Sequence, residues 1–167
     1  MSRTIRILLI ALATVICGEA QASEWRIVLI TDPLTITFVD IDSMIKAADG
    51  TIGVWSETID AGLNDYKSRQ YYRCQSNEVG VQTFIGTDGK GKVRENDSKP
   101  DKDVAFKPVP PNSSGERTEA MVCAENPRAY GIAHEFPSTD REPLPFMTEY
   151  LRLQKEKLAA TAASGKH

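Results

Sequence analysis

Three cysteines carry the most constrained chemistry in this 167-residue chain. Cys17 closes an apolar run, Ile7 to Cys17, that follows Arg3 and Arg6 and precedes Ala20-Gln21-Ala22. A positive start, a short apolar stretch and a small-x-small site make the pattern of a signal peptide. Cleavage is then expected before Ser23, and the run is too short to span a bilayer. Lipid attachment at Cys17 would need a small residue before it, and Ile16 stands there. Cys74 and Cys123 remain after cleavage. An oxidising compartment allows them one intramolecular pairing. That bridge would close a loop of about 50 residues, to which the chain-entropy model assigns roughly 4 kcal/mol. Two free buried thiols are the alternative. Zinc would need more ligands than two cysteines and two distant histidines supply.

Other reactive combinations are sparse. Nucleophilic catalysis needs a Ser or Cys beside a base. The histidines are His134, in a Pro-containing stretch, and His167, the last residue. Oxidised cysteines are not nucleophiles, and no GxSxG, HExxH or P-loop spacing occurs. Asp40 and Asp42 could form an acid–base pair, but their position reads as a strand end with a helix cap. Asp40-x-Asp42 and Asp101-x-Asp103 could offer oxygens to calcium, but neither continues into a loop with the Gly and bidentate Glu that such sites use. No enzyme, cofactor or metal site is expected.

Basic and aromatic residues give the better recognition signal. Lys67, Arg69, Tyr71 and Arg73 alternate with Ser68, Gln70, Tyr72 and Cys74 along one segment, so a strand would put the first set on one face. Lys90 and Lys92 lie in a Gly-bearing loop, TDGKGKVR. Tyr and Arg are enriched where interfaces carry their energy. Arg69, Tyr71, Arg73, Lys90 and Lys92 are therefore the candidate partner-binding surface, suited to an acidic protein segment or a sulfated polysaccharide. Glu95, Asp97, Asp101 and Asp103 weaken that positive field. Without Arg3, Arg6 and Glu19 the chain carries 18 Lys+Arg against 22 Asp+Glu. That balance argues against general binding to nucleic acid or anionic membranes.

The elements that would position these residues are mostly strands. Glu24–Thr31 alternates, Asp32-Pro33 turns, and Leu34–Val39 is β-branched and aromatic. Asp40, Asp42 and Ser43 would cap a short helical turn over 44–47, closed by Asp49-Gly50. Residues 51–59, 66–75 and 79–85 read as further strands. Residues 87–103 read as a mobile polar loop, and 104–109 as a sixth, edge strand limited by Pro108. Ser113 or Ser114 could cap a helix running to Cys123, and Glu116 lies three residues after Ser113, as in a capping box. Phe146, Met147, Tyr150, Leu151, Leu153 and Leu158 form the apolar stripe of a C-terminal helix. That stripe could dock on the sheet, pair with a second chain, or lie on a membrane.

The expected fold is α+β: an antiparallel sheet of about six strands with helices packed on one face, one of them short and disulfide-linked. Residues 1–22 are the signal peptide, 23–125 the β-rich domain, 126–145 a Pro-containing linker and 146–163 the amphipathic helix.

Several segments, in order, resemble the surface-adhesin protein E family of Gram-negative bacteria. They are Glu24-Trp25, Phe38-Val39-Asp40-Ile41-Asp42-Ser43, Val54-Trp55, Lys67 to Cys74, and Phe106 to Ser113 followed by Val122-Cys123. The resemblance covers about 100 residues, Glu24 to Cys123. Phe106 and Asn112 depart from its Trp and Gly. It implies a twisted sheet of about six strands with helical cover, an envelope location and, for the best-known member, adhesion to host matrix and serum proteins. A haem link within the family raises His134 and Tyr130 as axial ligands, but both lie beyond the matched segments. The chain is thus expected to be an exported, non-catalytic binding module of the periplasm or outer cell surface, recognising a protein or polysaccharide. A periplasmic accessory protein acting through its C-terminal helix is the alternative.

Overall fold

The computed structural model describes residues 23–31, 34–130 and 142–164. The expected signal peptide, the expected turn at Asp32-Pro33 and His134 lie outside them. Strands β1 (Trp25–Thr31), β2 (Thr35–Lys46), β3 (Ile52–Asp60), β4 (Asp65–Arg73), β5 (Glu78–Thr87) and β6 (Val93–Ser98) form an antiparallel meander in chain order. A two-residue strand, β7 (Lys107–Pro108), pairs with the start of β5. Helix α1 spans Ser114–Val122 and helix α2 spans Pro143–Ser164. The α+β class and the six-strand sheet agree with the sequence.

Each sheet face carries its own core, because both parities of β1 to β3 are apolar. Val28, Val39, Ile41, Val54 and Tyr72 pack with Met121 and Val122 of α1. Trp25, Ile27, Ile36, Phe38 and Ile59 pack with Met147 of α2, where Phe146 meets Phe38 edge-on at 5.8 Å. The helices therefore cover opposite faces, not one. Tyr72 is fully buried, and its hydroxyl donates to Gln70 Oε1. The first turns of α2 dock on the sheet, whereas Leu153 and Leu158 further along it are exposed.

Two further expectations are corrected. Residues 44–47 form no helical turn, and β2 runs on to Lys46 through a register shift between Asp40 and Ile45. Asp40 Oδ1 accepts from the Asp42 and Ser43 amides, and Ser43 Oγ donates to the Asp40 carbonyl at 2.7 Å while accepting from the Trp55 amide at 2.8 Å. The cap chemistry read from these residues thus stabilises a bulge, since short polar side chains serve orphaned backbone groups equally well there. The sixth strand is Val93–Ser98, inside the supposed mobile loop, and the 104–109 segment contributes only the short β7. β6 has no buried face, so no alternation announces it.

The Cys74–Cys123 disulfide joins the end of β4 to the C-cap of α1, with Cα atoms 5.7 Å apart. Ser113 caps α1 by accepting from the Glu116 amide at 3.1 Å, and Glu116 reaches back to the Asn112 amide at 2.9 Å.

Candidate functional site

The cleft begins at the β2 bulge. The shifted register leaves the Ser43 carbonyl outside the ladder's regular spacing, and Arg69 Nη1 donates to it at 3.0 Å. Arg69 lies across Gly53, its neighbour on β3 being Trp55. A Cβ on Gly53 would sit 2.6 Å from Tyr71 Cε1 and 2.9 Å from Arg69 Nη2. Glycine inside this strand therefore lets two long side chains lie flat against the sheet.

The second wall is a strap. Between β6 and β7 the chain turns through a single 3₁₀ turn (Asp101–Asp103) and crosses over β5 at Gly80, where a Cβ would meet Val104 Cγ1 at 2.5 Å. The strap is pinned by Asp101 Oδ1, which accepts from Tyr71 Oη at 3.2 Å and Gln82 Nε2 at 2.5 Å. It delivers Phe106 beneath Arg73, whose guanidinium carbon stands 3.6 Å from the ring centroid. Arg69 stands 5.8 Å from the Tyr71 centroid. Both guanidiniums are thus held by aromatic faces, which attract a cation without neutralising it.

The resulting cleft encloses about 370 Å³ and is closed on the far side by Ile45, Ala47, Asp49 and Thr51. Arg69 is only 8% exposed. It takes part in none of the ion pairs among the described residues. Arg73 has a distant partner in Glu78, at 3.7 Å. At the rim, hydrogen bonds from Thr51 hold the Asp49 carboxyl below its usual range.

Of the five predicted surface residues, Arg69, Tyr71 and Arg73 share this cleft. Lys90 and Lys92 do not. They sit exposed in the β5–β6 turn, where both amides donate to Asp88 Oδ1 at 3.0 Å. That turn follows Thr87, which pairs with Asp65, while Arg73 pairs with Glu78 at the other end of β4. Eight residues of strand separate those ends, about 26 Å. The tyrosines also disperse: Tyr72 enters the core and Tyr66 stacks on Phe84 at 6.1 Å. Sequence reasoning missed Gly53 and Phe106. A glycine interrupting a strand pattern was the available sign of close packing. Phe106 carries no local sign, since the strap brings it in from about 30 residues beyond β4.

A second polar cluster lies between the cleft and α2. Glu57 is 1% exposed, and its Oε2 stands 3.1 Å from Lys67 Nζ. Burial, then the neighbouring Asp65 carboxylate, push Glu57 up to about 7 against the pull of Lys67. Asp65 is raised as well, chiefly by burial. With Glu57 sealed, the pair offers no accessible acid–base dyad. The oxygens of Asp40 and Asp42 are likewise engaged: Asp42 pairs with Arg128 at 2.6 Å and accepts from the Glu24 amide at 3.0 Å.

Fold and cleft together define a class, a disulfide-bridged α+β domain with an arginine- and aromatic-lined cleft on its sheet. Comparison with protein-family models, curated proteins and solved structures found no match to the chain.

Proposed function

We propose that this protein is an exported envelope binding module, akin to the surface-adhesin protein E family in its sequence segments, that recognises a host matrix protein or polysaccharide without catalysis. The observation that carries this reading is the Arg69–Tyr71–Arg73–Phe106 cleft: two ring-supported guanidiniums, one of them buried with no acid partner. Aromatic and Arg anchors on a rigid sheet are what interface energetics favour. The disulfide supports the export half of the proposal, since such bonds persist in oxidising compartments. No helix among the described residues is long and apolar enough to cross a membrane.

A second reading, a periplasmic accessory protein acting through α2, is favoured by the exposed Leu153 and Leu158. Protease treatment of intact cells separates the two. The adhesin reading predicts cleavage of the protein on whole cells and capture of purified matrix proteins, reduced by Arg73→Gln. Full protection until the outer membrane is breached, with no matrix capture, would favour the accessory reading and end the first.

A further inference from the structure

We infer that the cleft takes an acidic sugar unit, one carboxylate or sulfate group flanked by hydroxyls, within a glycan chain. The inference rests on the binding-module reading and names the chemistry of its ligand. Four observations lead to it.

First, the two cations that line the cleft are held in place. Arg69 is fixed by the Ser43 carbonyl and the Tyr71 ring, and Arg73 by the Phe106 ring. Guanidiniums prepositioned as planar forks suit a single planar or tetrahedral anion, because little side-chain freedom is lost on binding. Second, Arg69 is buried and makes no ion pair among the described residues, so an anion brought in by a ligand would complete its charge environment. Third, the lining is not purely basic: Asp49 and Asp101 share the cleft with the two arginines. A run of acidic peptide side chains would meet repulsion there, whereas hydroxyl groups on either side of one acid group would find acceptors. Fourth, Ile45, Ala47 and Val104 give apolar walls against which sugar C–H faces can lie, in about 370 Å³, the lower end of small-ligand pockets.

The test titrates the full, oxidised protein, expressed with export, with four probes. These are a hyaluronan-derived tetrasaccharide (uronate, no sulfate), a heparin-derived tetrasaccharide (uronate with sulfate), maltotetraose (neutral), and a short poly-glutamate peptide. The expected result is binding of an acidic tetrasaccharide and of neither control. Binding of the hyaluronan fragment identifies the carboxylate as sufficient, and binding of the heparin fragment alone identifies sulfate as the group read. Arg73→Gln, at an exposed side chain, should weaken that binding by about tenfold or more with thermal unfolding unchanged, and Gly53→Ala, whose new methyl displaces Tyr71 and Arg69, should weaken it at least as much with a lower unfolding temperature. Lys90→Gln with Lys92→Gln should leave it as it was.

The inference is overturned if no acidic sugar binds, if poly-glutamate binds as well as the sugars, or if both cleft variants bind like the parent. Matrix capture without sugar binding would sink this inference alone. Sugar binding without matrix capture would sink the host-matrix reading and leave the cleft's chemistry standing.

Discussion

Reducing the Cys74–Cys123 bond, or replacing both residues by Ser, is expected to lower unfolding free energy by about 4 kcal/mol while leaving the folded structure in place. The bond spans 49 residues of chain. Those residues include β5, β6, the strap, β7 and all of α1, so the opened denatured chain gains freedom over about half the sheet. On the native side little is lost. Met121 and Val122 stay in the core with Val39, Val54 and Tyr72, and β4 keeps its pairing to β3 and β5. The denaturant slope should also rise, because an unbridged denatured chain exposes more surface. Cys74 is exposed, so mild reductant reaches the bond without prior unfolding. Urea titration of oxidised and reduced protein measures the effect. Indistinguishable midpoints would mean that the bridge contributes nothing. Two reactive thiols in denatured, unreduced protein would mean that it does not form.

The second large effect belongs to Glu57. Its carboxyl titrates near 4.5 when unfolded and near 7 in the fold. Between those values the folded protein holds a proton that the unfolded chain has released. Stability therefore falls as pH rises from about 4.5 to about 7, and levels off above. A shift of that size corresponds to about 3 kcal/mol. Glu57→Gln removes the titrating group and keeps the shape. The variant should show a flatter pH profile and should exceed the parent protein by about that amount at pH 8. The Lys67 side chain, 42% exposed, loses its partner but reaches water, so the penalty on that side is small. Denaturant unfolding at pH 5, 6, 7 and 8 for both proteins checks this. A parent stability that climbs from pH 5 to 7, with Glu57→Gln less stable throughout, would show that Glu57 is held as a paired anion.

How much of this was legible depended on whether a feature is local. The strands at 52–60, 65–73 and 78–87 announce themselves by alternation and β-branched content, and their neighbours in sequence are their neighbours in the sheet. The Ser113–Glu116 cap is a spacing rule and was readable as one. By contrast, β6 is exposed on both faces and exists through its pairing with β5, so VRENDS shows no burial pattern to read. Asp40 and Ser43 offer the same oxygens to a helix start or a bulge. Only the long-range pairing of Trp55 with Asp40 decides between them. The opposed helices were hidden because both parities of β1 and β2 are apolar, which leaves no single face for helical cover.

The cleft divides along the same line. Period-two spacing put Arg69, Tyr71 and Arg73 together correctly, because a strand's parity is local. It could not say that Lys90 and Lys92 belong to the opposite end of the sheet. Nor could it say that a strap seated on Gly80 would bring Phe106 to Arg73. The Ser43 carbonyl that orients Arg69 lies 26 residues away in the chain.

Amide chemical-shift mapping during titration with the captured ligand asks the decisive question, namely where on the molecule the partner sits. Our account predicts perturbations concentrated at Gly53, Arg69, Tyr71 and Phe106. Shifts confined to Gly89–Lys92, or running along the exposed half of α2 past Leu153 and Leu158, would contradict it.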